Sequence, residues 1–203
     1  MALNLIPLNS KSQRYDDALA YFRTISWCAQ LLGVDGAHYF LPNCRNPASD
    51  QRDQFFSSTL ATPTTLKHML CVFVAEDQYV LQDTSKLITK VQTLFAPEEG
   101  LGGVGSMMHG GMTMAMLDES SNVLLEINTV MNKQGIMFKS GSVTGAMEIK
   151  FMNPVLTCQA VLATAQIDAD EGRKMRIRCD IRGEDGIVLA KASSTWFVVN
   201  HHL

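Results

Sequence analysis

HGGMTMAMLDESSNVLLEIN, running from His109 to Asn128, reads as one helix that begins at Gly110. Apolar residues occupy much of its circumference, so it has no wide polar face to turn to water and should lie buried. Two glycines at its start let another molecule approach the backbone closely. The first amides of a helix have no partner within it and carry partial positive charge, so Gly110 and Gly111 are candidate donors to an oxygen that becomes negative during a reaction. Asp118 follows Gly111 by seven residues, about two turns and roughly 10 Å along the axis. Met114, Ala115, Ser121, Asn122 and Leu125 share its side of the helix. Aspartate is a mediocre helix former, and a misfit in the middle of an apolar helix points to chemistry rather than packing.

Outward from this helix the period changes. Residues 143–152, 156–168, 173–182 and 187–199 read as successive strands. In the third, Met175, Ile177, Cys179 and Ile181 alternate with Arg176, Arg178, Asp180 and Arg182, the pattern of a strand with one wet face. Gly183-Glu184-Asp185-Gly186 supplies hairpin chemistry. Upstream, 66–81 and 86–96 read as two strands and 14–32 as a helix stopped at Gly33, while 33–65 looks irregular, broken by Pro42, Pro47 and Pro63. The order predicts an α+β architecture, an antiparallel sheet wrapped around one central helix (about 110–128) with an extra N-terminal helix. It suggests a helical and irregular extension over 1–54 and a domain over 55–203. The loop from Gly100 to Gly105 matches GxGxxG literally, but a dinucleotide site needs that motif inside a parallel βαβ unit.

The chain has 203 residues, 46% hydrophobic and 18% charged, with a formal net charge of −3. That balance gives no nucleic-acid footprint, and no apolar run approaches the roughly 20 residues of a membrane span. No secretory signal is visible. The five cysteines are odd in number, scattered, and at no metal spacing. They read as reduced and mostly buried, which with the missing leader predicts a cytoplasmic protein. His201 and His202 have no other ligands near them in sequence, so no metal and no cofactor is expected.

HGG with an acidic residue nine positions after the histidine, followed by VTGAMEIKFMNPV (Val143 to Val155) with its aromatic-x-x-Pro turn, resembles the hotdog-fold thioesterases of the phenylacetate-degradation type. FFSSTLATPTTLKHML (Phe55 to Leu70) and TLFAPEEGLGG (Thr93 to Gly103) resemble its longer fungal members. The resemblance covers residues 55–199. It implies that the amide of Gly110 or Gly111 polarises a thioester carbonyl, with His109 shaping the pocket. Asp118 would act as general base on water or as nucleophile, and Thr144 on the following strand would assist. It further implies a homodimer or dimer of dimers, with the helix start and the carboxylate coming from different subunits. The 10 Å separation agrees, since one helix can hardly set both groups around one carbonyl. The substrate would be an acyl thioester of coenzyme A or of a carrier-protein arm. Met108, Met112, Met114, Ser121 and Asn122 are the candidate substrate contacts, flexible thioethers suiting an adaptable acyl tunnel.

Bland readings stand beside these. Glu119, the rival acid, points about 100° away around the helix. The methionines could simply be core, and Lys174, Arg176, Arg178 and Arg182 suit a solvated strand face better than a grip on phosphates. Gly103 stands where many relatives carry a polar residue. That allows other chemistry on the same scaffold: hydration, dehydration or cyclisation of a polyketide-like acyl chain, or acyl binding without turnover.

Overall fold

A computed structural model of the chain describes residues 13–45, 53–75 and 78–199. His201 and His202 lie outside them. Seven strands form one antiparallel sheet: β1 (Ala37–Phe40), β2 (Leu66–Val74), β3 (Lys90–Pro97), β4 (Ser142–Phe151), β5 (Val161–Asp170), β6 (Lys174–Arg182) and β7 (Val188–Val198), in spatial order β1-β2-β3-β5-β6-β7-β4. The sheet wraps the long central helix Gly110–Val130, the hotdog architecture the sequence predicts. In chain order the helices are α1 (Gln13–Arg23), α2 (Ser26–Leu32), α3 (Gln78–Gln82), α4 (Gly110–Val130) and α5 (Ile136–Lys139).

The central helix is buried on most sides, as its composition demands. Met116, Leu117, Val123, Leu124 and Ile127 are buried in one core with Phe95, Ala163, Ala165, Ile177, Ile181 and Ala190 of the sheet. Small alanines along β5 and β7 let the helix axis come close. Asn128 ties the far end of α4 to the chain entering β3. Its amide nitrogen donates to the Ile88 and Leu124 carbonyls and its oxygen accepts from the Ile88 N–H, which leaves no buried polar atom of that side chain unpaired.

The reading of the amino-terminal part needs correcting in three places. The single helix expected over 14–32 is two, α1 and α2. Ile25 is extended (φ −98°, ψ 117°), and the Thr24 hydroxyl competes for the Tyr21 carbonyl at 2.7 Å. The irregular stretch contains a strand, β1, paired from Ala37↔Val74 to Phe40↔Cys71. The strand expected over 66–81 ends at Val74, where the pairing with β1 ends, and Gln78–Gln82 is helical.

A second layer explains why β2 reads as a nearly continuous apolar run. Ala18, Phe22, Cys28 and Leu32 of α1 and α2 pack with Leu70, Leu94 and Ala96, while Met69, Cys71 and Phe73 belong to the central core. Covered on both faces, the strand has no wet side to mark with polar residues. At the opposite edge β4 pairs only with β7 among the described strands, and Val143, Phe151 and Met152 are exposed along and just past it.

Candidate active site

The loop Gly100–Met108 leads directly into α4, and the sheet is antiparallel throughout, so the literal GxGxxG has no parallel unit to sit in. The loop is instead pinned to the helix start. Gly103 N–H donates to the Met107 carbonyl, and His109 N–H donates to the Leu101 carbonyl. A methyl group at Gly103 would lie 3.3 Å from His109 Cα, tighter than ordinary contact.

His109 is the N-cap of α4. Its Nδ1 accepts the Gly111 N–H at 3.0 Å, which leaves the proton of a neutral imidazole on Nε2. Met112 and Thr113 donate to the His109 carbonyl. The two expected donors therefore differ: the Gly111 amide is committed to His109, whereas Gly110 N–H has no acceptor among the described residues. Glycine at 111 also makes the cap possible, since a methyl group there would press on Nδ1 at 3.1 Å. Beside Gly110 a cleft of about 260 Å³ opens, lined by Met107, Met108, Thr113, Phe151 and the turn through Val155.

Two turns along α4, the Thr144 hydroxyl donates to Asp118 Oδ1 at 2.7 Å. A β-bulge brings Thr144 there. Thr144 pairs with Trp196, but the register shifts before Ala146 pairs with Thr195. Met147 and Ile149, partly buried, pack against the core, so strict alternation would turn Thr144 outward; the extra residue, Gly145, restores it to the helix side. Glycine fits without disturbance, whereas a methyl group would stand 2.4 Å from the Phe197 ring and force it to move. Asp118 is half-buried. Burial raises its carboxyl above the ordinary aspartate range, and the Thr144 hydrogen bond works against that rise. The arrangement is an oriented, partly desolvated carboxylate suited to taking a proton from water.

Of the other predicted contacts, Met108 and Met112 are buried in the core and Met114 is exposed. Ser121 is fully buried, its hydroxyl donating to the Leu117 carbonyl at 2.9 Å, so it is not brought to the Asp118 site. Asn122 is half-buried and lines a second cavity. Three of the four basic residues of β6 are engaged with neighbouring acids: Arg178 with Asp168, Arg182 with Asp180 and Lys174 with Glu171.

Two further carboxyls stand on α4: Glu119, which the sequence offered as a rival acid, and Glu126, which it did not single out. Glu119 is buried, with Oε1 lacking any partner, and burial pushes it up to about 7. Glu126 accepts the Asn43 N–H at 2.9 Å, and burial pushes it up to about 8. The signal for Glu119 was its place beside Asp118 in an apolar helix; for Glu126 none existed, because its partner is 83 residues away. Glu98, Glu99 and Cys158 lie close enough together to share a metal ion, but all are outside the site around Asp118. No helix among the described residues is long and apolar enough to cross a membrane.

Comparison with known proteins bears on this arrangement. Residues 105–190 match the family model of the thioesterase superfamily. Over 168 residues the chain is 29% identical to verlamelin biosynthesis protein B of a Lecanicillium species, covering 71% of this chain and 72% of that protein. It is 28% identical over 105 residues to the acyl-coenzyme A thioesterase THEM4 of Bos taurus, covering 52% of this chain and 39% of that protein. Among solved structures, the Escherichia coli PaaI protein is similar with a TM-score of 0.47 at 14% identity, over 55% of this chain and 73% of that one. A hypothetical thioesterase protein of Streptococcus pneumoniae with coenzyme A has a TM-score of 0.48 at 16% identity, over 56% of this chain and 84% of that one.

Proposed function

From the match of residues 105–190 to the family model of the thioesterase superfamily we propose that this chain hydrolyses acyl thioesters, with Asp118 as general base and Gly110 N–H as oxyanion donor. The observation that carries the reading is the hydrogen bond that aims Asp118, from Thr144 at 2.7 Å, on the same helix that leaves the Gly110 amide free. Asp118 takes a proton from water as the water attacks the thioester carbonyl. The oxygen that becomes negative is held by the amide and by the positive end of the helix. The carbon–sulfur bond then breaks, and the proton held by Asp118 passes to the departing thiolate. Products are a free carboxylic acid and a thiol. Thr144 fixes the carboxylate and offsets part of its desolvation, keeping it ionised for the next cycle. His109 holds the helix start in shape.

Gly110 and Asp118 are eight residues apart, about 12 Å along one helix, so one chain cannot place both at one carbonyl. A second copy would complete the site. Phe151 lies against Gly110, and Thr144 contacts Asp118. Two β4 edges paired antiparallel about a two-fold axis would set the Thr144 end of one strand against the Phe151 end of the other. Each Asp118 would then approach its partner's Gly110. The long edge with exposed Val143 and Phe151 is the kind of edge that needs covering.

Coenzyme A is the favoured thiol, on the 28% identity to a relative named as an acyl-coenzyme A thioesterase. The direct test is release of free thiol from a panel of acyl-CoA esters. We expect turnover by the native protein and at least about 100-fold lower kcat for Asp118→Asn with an unchanged circular-dichroism spectrum. Full activity in Asp118→Asn would remove the assignment. Gly103, with no polar side chain beside the helix start, favours a second reading in which the thioester stays intact while its acyl chain is hydrated, dehydrated or cyclised. Mass spectrometry separates the two by whether free acid and thiol appear.

A further inference from the structure

A cavity of about 430 Å³ lies on the same side of α4 as Asp118, displaced toward the end of the helix. Asn122, Leu125 and Thr129 line it, one, two and three turns beyond Asp118 and within about 40° of its direction. Its other walls are Asn43 and Cys44, the short helix α5 and the first residue of β4. The cavity therefore lies along the helix face that carries the proposed base, beginning one turn past it at Asn122. An alkyl chain alone would suit apolar walls, yet this lining carries Asp53, Asn122, Glu126, Lys139 and Ser140 among Leu125 and Phe138. We propose that this cavity is the acyl subsite and that it selects an acyl group bearing a hydroxyl or carbonyl some way from the thioester. This rests on the thioesterase reading for the chain's entry past Asp118.

Glu126 is the recognition group. One of its oxygens is occupied by the Asn43 N–H at 2.9 Å. Burial pushes its carboxyl up to about 8, so near neutral pH it keeps its proton and offers one O–H donor beside the accepting oxygen. Asn122 adds a carboxamide, which can donate or accept. Behind the wall lies Glu119. It interacts with the Asn122 and Cys44 side chains, is itself buried, and has an Oε1 with no partner. Polar groups left without a partner are costly once a chain covers them, and a ligand oxygen beside Glu126 and Asn122 would supply that partner. A plain alkyl chain would instead leave the polar groups dry and unpaired, which is how a hydrogen-bonding pocket rejects an analogue that lacks the matching group. Glu126 stands about 12 Å along the helix from Asp118, so the oxygen belongs well down the chain and not next to the thioester.

The test is calorimetric binding of free decanoate and of hydroxydecanoates with the hydroxyl moved along the chain. The native protein should bind at least one hydroxydecanoate about 10-fold or more tightly than decanoate. Glu126→Leu should bring that ratio close to one, Asn122→Leu should reduce it, and Glu126→Gln, which keeps a donor and an acceptor, should hold it. Equal binding of all the acids, no binding of any, or an unchanged ratio in Glu126→Leu and Asn122→Leu overturns the inference. These outcomes stand apart from catalysis: a protein that prefers the hydroxy acid yet hydrolyses no thioester refutes the thioesterase reading and leaves the subsite in place.

Discussion

The Thr144–Asp118 hydrogen bond joins a residue whose chemistry shows in the sequence to one whose position does not. An aspartate inside an apolar helix announces itself, because nothing about helix formation or packing asks for it. Thr144 entered only through resemblance, and strict strand alternation would have turned it away from the helix; the bulge at Gly145 reverses that. Thr144→Val keeps the shape and removes the hydroxyl. Burial then acts on Asp118 without opposition, its carboxyl rises further, and the acid limb of the kcat/KM–pH profile should move to higher pH. An unmoved limb would show that the hydrogen bond does not tune the base. The burial of Glu119 and Glu126 was not legible, since both look like ordinary helix carboxylates until residues 43–45 fold back over them. Both are raised, Glu119 from 4.5 to about 7 and Glu126 from 4.5 to about 8. The folded protein keeps protons that the unfolded chain releases. Their stabilisation is therefore complete below pH 4.5 and is lost as pH rises through 7 and then 8. Melting temperature should fall between pH 5 and 9, and Glu119→Gln should flatten the fall, recovering on the order of 3 kcal/mol at its alkaline end. A melting temperature that climbs over this range would contradict the burial argument.

Elements with a strong period were readable: the buried helix and the four strands after it differ from expectation by only a few residues at most ends. β5 is the exception, starting at Val161 rather than 156, because Leu156 makes only an isolated bridge to Met107. Short elements were not readable. β1 has four residues and exists because β2 offers it an edge, and no local pattern marks it. The start of α4 shows what composition leaves out. Two glycines look equivalent in sequence, yet the His109 cap consumes one amide and spares the other. Gly110→Pro tests this difference. Proline is accepted at the first position of a helix, and His109 already has the extended backbone (φ −60°, ψ 133°) that a residue before proline needs. The substitution removes the free N–H and sets ring carbons in its place, so kcat should drop about 100-fold or more while the melting temperature stays within a few degrees. Near-native kcat would remove this amide from the oxyanion role.

At the scale of the whole molecule, the chain order of strands, one buried helix and four more strands was sufficient for an antiparallel sheet wrapped on a helix. The outer layer of α1 and α2 over β2 and β3 was hidden in a loosely patterned segment, because short helices packed on a sheet need only a few apolar contacts each. In the single chain β4 is an edge strand, and under the proposed function that edge and the site belong together because each centre would be shared between copies. Mixing decides this. Asp118→Asn and Gly110→Pro, each inactive alone, should form mixed dimers in which one of the two sites has both an intact carboxylate and an intact amide. After co-refolding or co-expression in equal amounts, acyl-CoA hydrolysis should return to about a quarter of the native rate. A mixture that contains mixed dimers yet remains as inactive as its parents would contradict the shared site on which the account depends.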